Sequence, residues 1–209
     1  MADDKNLGSV GSRWEMLAEA AYALLREKGY RSTSMLAIAK KAGMSNQTLY
    51  RLYPNKQALF GALVEANAKK ATEFFASAEQ EATTDPLAAL NRLGPILLEL
   101  VASERAVALN RAAAGDVHDT ARLGPLIAEN GREVLWPMVT RTIGLAMAAG
   151  DLSSDADPAM AADIWFSVLI GDLQIRRVIG TADPLECEAR ITRSTLALDI
   201  LKAAYPPET

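Results

Sequence analysis

The chain has 209 residues, half of them apolar and 23% charged, a balance that excludes wholesale disorder and allows one or two buried cores. One cysteine (Cys187) and one histidine (His118) exclude an internal disulfide and a paired-cysteine metal site and leave little for zinc chemistry, so neither metal nor cofactor is expected. The net charge of −4 divides unevenly: residues 1–56 carry nine Lys/Arg against five Asp/Glu, and residues 57–209 carry thirteen against twenty-one. A basic end on an acidic chain points to a polyanionic partner, or is an ordinary solvated surface.

Along the chain the apolar residues recur with helical period, and nothing alternates like a strand, so an all-α fold is expected. The amino terminus lacks the basic-then-apolar layout of a secretion signal, which predicts a cytoplasmic location. No apolar run reaches the roughly 18–20 residues of a membrane span. Residues 1–11 read as a flexible polar arm. Ser12 and Glu15 form a capping box for a first helix, whose stripe is Trp14, Leu17, Ala18, Ala21, Leu24 and Leu25; Gly29 ends it. Ser32-Thr33-Ser34 starts a second helix over 35–42, and Ser45 caps a short third over 46–52, stopped by Pro54.

Asn55 caps a helix over 56–81, roughly 40 Å long, more than a small domain needs, and so a connector between two domains. Three later helices open on the same pair, Asp85-Pro86, Asp157-Pro158 and Asp183-Pro184, with Asp at the cap and Pro at the first helical position. Helical segments are expected over 86–101, 104–115, 121–149, 158–179 and 184–204. Breaks or kinks are expected at Gly94-Pro95, Gly124-Pro125 and Trp136-Pro137. Asp116 with Asp119, and Glu186 with Glu188, read as solvated helix-end charges.

The informative stretch is 33–56. Ala39, Ala42 and Gly43 are small enough for two helices to cross, and Ile38, Met44, Leu49 and Tyr53 anchor the inner face. That is the pattern of a helix-turn-helix. The outer face of its second helix shows Ser45, Asn46, Gln47, Thr48, Tyr50 and Arg51, all able to bond bases or phosphates and none acidic. Lys40, Lys41 and Lys56 flank them.

Residues 12–63 resemble the N-terminal domain of the tetracycline-repressor (TetR) family of bacterial transcriptional regulators. The running pattern is Glu27-Lys28-Gly29-Tyr30, Thr33-Ser34, Ile38-Ala39, Ala42-Gly43-Met44-Ser45, Thr48-Leu49-Tyr50, Tyr53, Lys56 and Leu59-Phe60. Two departures are Tyr53, where Phe is more usual, and Gln57, where Glu is common. Residues 86–180 are more loosely similar to a multidrug-efflux-repressor branch, through Ser103-Glu104-Arg105, Arg111 and 148–152.

The resemblance implies an arm (1–11), a helix-turn-helix domain (12–56) and a helical effector-binding and dimerisation domain (57–209). It implies a homodimeric, ligand-responsive repressor of a double-stranded DNA operator, not an enzyme. Asn46, Gln47 and Thr48 would then meet base edges, since Asn and Gln pair bidentately with adenine and Thr touches a thymine methyl. Ser45, Thr33, Tyr50 and Lys56 would hold phosphates, with Arg51 adding long-range attraction. For Thr33 and Ser45 capping is the alternative role, and for Tyr50 a half-buried ring.

The last two helices offer a dimer interface through Ile164, Trp165, Val168, Leu169, Ile175, Leu196 and Ile200, unless these serve the monomer core. An effector would lie among Phe74, Arg111, His118, Trp136, Met147 and Phe166, each of which is equally an ordinary core or loop residue. Trp165 and Phe166 stay open between interface and pocket. The competing readings are an all-α enzyme or carrier, for which no catalytic motif is found, and an architectural DNA binder, for which the chain is too acidic.

Overall fold

The computed structural model describes residues 4–207, without the side chains of 4–12, 70–72, 74–75 and 77–81. The described residues form eleven helices and no strand: α1 (Asp4–Ser32), α2 (Met35–Lys41), α3 (Asn46–Leu52), α4 (Lys56–Ala82), α5 (Pro86–Ala102), α6 (Glu104–Asp116), α7 (Leu123–Asn130), α8 (Arg132–Ala148), α9 (Pro158–Ile170), α10 (Leu173–Ile179) and α11 (Cys187–Ala204). None of these is long and apolar enough to cross a membrane.

The helices pack as two units. The first comprises Met1–Ala66 with Ala108–Ile127, and the second Asn67–Val107 with Ala128–Thr209. The core of the first includes Leu17, Ala21, Ile38, Ala39 and Leu49, joined by Leu59, Phe60 and Leu63 of α4 and by Leu109, Ala112 and Leu123. The first eleven residues of α4, 56–66, and the 108–127 stretch thus pack with the helix-turn-helix. The second unit is built on α5, α8, α9 and α11 around Leu90, Leu97, Val139, Ile143, Trp165, Leu169 and Leu201. Gly94 on α5 permits the closest approach, for a Cβ there would stand 2.0 Å from the Ser194 Oγ of α11. That hydroxyl donates to the Asn91 carbonyl at 2.8 Å.

Several elements depart from expectation. Helix α1 begins at Asp4, so Ser12 lies inside it and is no cap; residues 1–3 lie outside the described part. Gly8 and Gly11 lower helix propensity there without the veto a proline would impose. Gly29 breaks the helix where expected, with φ 72 and ψ 172, and a last short turn runs on to Ser32. The 121–149 stretch breaks at Gly131, and Pro95 and Pro137 sit inside continuous helices.

The single helix expected over 158–179 is two. Gly171 takes φ 49 and ψ −130, and Arg193 reaches in to cap the end of α9. Its Nε donates to the Leu169 carbonyl at 2.6 Å and its Nη2 to that of Ile170 at 3.0 Å. Asp85 and Asp157 cap as expected, accepting from the amides of Ala88 and Ala159. Asp183-Pro184 starts no helix; α11 begins at Cys187. The carbonyls of Ala182 and Leu185, free of helical partners, accept instead from Arg177 and Arg190.

Asp116 is not solvated. It is fully buried at the end of α6, accepting from the Thr120 hydroxyl at 2.8 Å and from the amides of Thr120, Arg122 and Leu123. Burial by itself would raise its pKa, but these donors outweigh it and hold the carboxyl below its ordinary value.

Candidate nucleic-acid interface

The helix-turn-helix is built by local rules. Ser34 caps α2, its Oγ accepting from the Ala37 amide at 3.2 Å. Gly43 then turns left-handed at φ 65. The Met44 amide bonds the Ala39 carbonyl at 2.9 Å and the Gly43 amide that of Lys40 at 3.3 Å, the Schellman closure that only a residue without Cβ adopts cheaply. Ser45 follows at once and caps α3, accepting from the Thr48 amide at 3.1 Å and sharing a 2.8 Å hydroxyl bond with Thr48 Oγ1.

Leu49 fixes the roll of α3 by burying itself completely. That leaves Ser45, Asn46, Gln47, Tyr50 and Arg51 exposed and Thr48 half-buried, on two helices without an acidic residue. Nearby, Lys41 is tied to Glu27 of α1 at 2.6 Å. The hydrogen bond from Lys41 is the main cause that lowers the Glu27 pKa.

Thr33 requires a correction. Its side chain is 2% exposed, and the hydroxyl donates to the carbonyls of Gly29 (2.7 Å) and Leu24 (3.3 Å). It stitches the end of α1, and Ser34 is the residue that caps α2. Lys56 is half-buried and turned inward. Its ammonium donates to the Tyr30 carbonyl at 2.8 Å and stands 4.0 Å from the Tyr30 ring centroid. Burial lowers its pKa, while the negative charges of Asp119 and Asp116 pull the other way. Burial and the same two carboxylates push the Tyr30 phenol up to about 12. Sequence reading missed this Tyr30–Lys56–Asp116 group because its members come from α1, α4 and α6, with no local spacing to betray them.

Comparison with known proteins settles the family. Residues 17–63 match the bacterial regulatory proteins of the tetR family, and residues 88–207 match the C-terminal domain of AefR-like transcriptional repressors. The chain belongs to the TetR family. Among similar proteins, the uncharacterized HTH-type transcriptional regulator YvkB of Bacillus subtilis (strain 168) is 35% identical over 83 residues. That match spans 40% of this chain and 42% of YvkB. A TetR-family regulator structure from Mesorhizobium loti shares the fold with TM-score 0.78 at 23% identity, covering 93% of this chain and 97% of the other. The flavonoid-responsive regulator FrrA aligns at TM-score 0.68 and 29% identity over 95% of this chain and all of that one.

In this TetR chain the residues expected around an effector divide between the units: Trp136, Met147 and Phe166 share the core cluster of the second, and Arg111 and His118 fall in the first. Arg111 and His118 are exposed in the first unit. Met147 and Phe166 are buried in the core of the second, and the side chain of Phe74 lies outside the described residues. Trp136 is half-buried and donates from Nε1 to Asp163 at 2.9 Å, an oxygen that also receives Arg132 at 2.6 Å.

For the dimer residues the correction concerns Trp165 and Leu169, which are fully buried in the core of one chain and so cannot meet a second. Ile164 and Val168 are half-buried, while Ile175, Leu196 and Ile200 are exposed. An open groove lined by Val168, Ala189, Leu196 and the charged Glu186, Glu188 and Arg193 runs along the same α9–α11 face.

Proposed function

We propose that this TetR-family chain is a homodimeric repressor that reads its operator through α3 and is released by a small-molecule effector. The observation that carries the reading is the exposed, acid-free face of α3, held outward by the burial of Leu49 and by the Ser45 cap. Asn46, Gln47 and Thr48 face base edges; Ser45, Tyr50 and Arg51 face phosphates. Lys56 adds a phosphate contact if its ammonium leaves the Tyr30 carbonyl, and Thr33 makes none. A single helix-turn-helix covers too few base pairs for specificity, so the exposed apolar residues of α10 and α11 are assigned to a second copy of the chain.

Release follows from α4, which carries residues of both packing units. An effector bound by the second unit displaces α4 and takes the two recognition helices off a half-site spacing of about 34–36 Å. A hundredfold loss of operator affinity needs only about 2.7 kcal/mol of differential binding. The responsiveness named for FrrA makes flavonoids the first effectors to test here.

Selection of bound duplexes from a random pool tests the reading. The expected result is an enriched sequence of two related half-sites, bound about 1,000-fold or more above random DNA. Equal affinity for all duplexes would leave an unspecific binder and overturn it. On the selected operator, Gln47→Ala relaxes preference at one base position, whereas Tyr50→Phe and Lys56→Ala weaken all sequences. Of these two, Lys56→Ala also lowers the salt slope by about one.

A further inference from the structure

Leu36 is the most exposed large apolar side chain among the described residues, with 63% of its surface open. Isolated surface leucines are common, and exposure by itself assigns nothing. Its setting is what distinguishes Leu36. It stands in the first turn of α2, one turn from exposed Lys40 on the same face. The rest of α2 is occupied: Met35, Ile38 and Ala39 pack into the core with Leu49, and Lys41 pairs with Glu27. Neither α2 nor α3 carries an acid, so Leu36 and Lys40 stand on the same carboxylate-free helix pair as the candidate interface.

In a helix-turn-helix, the helix before the recognition helix crosses the DNA backbone beside the major groove. There Lys40 has a phosphate to meet, but an isobutyl group has none. The apolar feature that a major groove presents is the 5-methyl group of thymine.

We propose that Leu36 is a specificity-determining residue that packs against a thymine methyl group of the operator. This rests on the DNA-reading role above and adds a base contact from outside α3. Burying one methyl-sized group contributes about 0.8 kcal/mol, or about fourfold in affinity.

The test uses the intact chain and its selected operator, with each thymine replaced in turn by deoxyuridine, which removes only that methyl. At one thymine per half-site the replacement should weaken wild-type binding about fourfold and leave Leu36→Ala unaffected. Leu36→Ala on the unmodified operator should show the same loss at an unchanged salt slope, and Leu36→Met should recover most of it. Since Leu36 is exposed, its truncation does not endanger the fold. Deoxyuridine penalties that persist undiminished in Leu36→Ala at every thymine would overturn the proposal while leaving the DNA-reading role intact. If selection enriches no sequence, the DNA-reading role itself fails and this contact with it.

Discussion

Thr33 and Asp116 are both residues whose chemistry suggests a surface task and whose location removes them from it. The Thr33 hydroxyl is consumed by the Gly29 and Leu24 carbonyls. Thr33→Val should therefore cost about 1 kcal/mol in denaturant melts and leave the salt dependence of DNA binding unchanged. Asp116 holds the turn between α6 and α7 through its carboxylate. Because its pKa is lowered in the fold, its contribution is present at neutral pH and lost as pH falls through the folded value, below roughly 3.9. Asp116→Asn should melt earlier than wild type at pH 7, with the gap closing as pH is taken toward 3. Tyr30 runs the opposite way. Its phenol, pushed up to about 12, stays protonated in the fold after an unfolded chain would have ionised near 10, so stability declines above that pH. The buried hydroxyl meets no hydrogen-bond partner among the described residues, so Tyr30→Phe should match or exceed wild-type stability and flatten that alkaline decline.

At the scale of elements, glycines decide how helices end and how closely they cross. Gly43 and Gly171 are both left-handed, but for different reasons: one closes a tight turn by itself, the other makes room for the guanidinium of Arg193, which bonds the Leu169 carbonyl from 24 residues further along the sequence. Gly94 is helical and matters by volume. A methyl group there collides with Ser194, so Gly94→Ala should destabilise the second unit by about 1–3 kcal/mol, read as a fall in melting temperature. Adding Ser194→Gly should recover part of the loss, which a mere change in helix propensity at residue 94 would not allow.

For the whole molecule, the exposed apolar side chains are unevenly spread. Ile175, Ile179, Ile191, Leu196 and Ile200 all fall on α10 and α11. Placing a charge there, as in Ile175→Asp with Leu196→Asp, should shift the sedimenting species to the monomer and sharply reduce operator affinity. Helical content should stay unchanged, because neither side chain belongs to the core. A variant that stays dimeric would mean that another face carries the twofold.

Sequence determined the short-range features: helix content, the Gly43 turn and the Ser45, Asp85 and Asp157 caps. Each rests on contacts within about four residues, so a local reading sees all of its parties. Tertiary structure decided what depends on distant partners. It buried Thr33 and Asp116, turned Lys56 toward Tyr30, and split α9 from α10 by way of Arg193. It also withdrew Trp165 and Leu169 into the core while leaving Ile175 and Leu196 outside. An apolar stripe announces that something will cover it, but only the packed chain shows which positions its own helices have already covered.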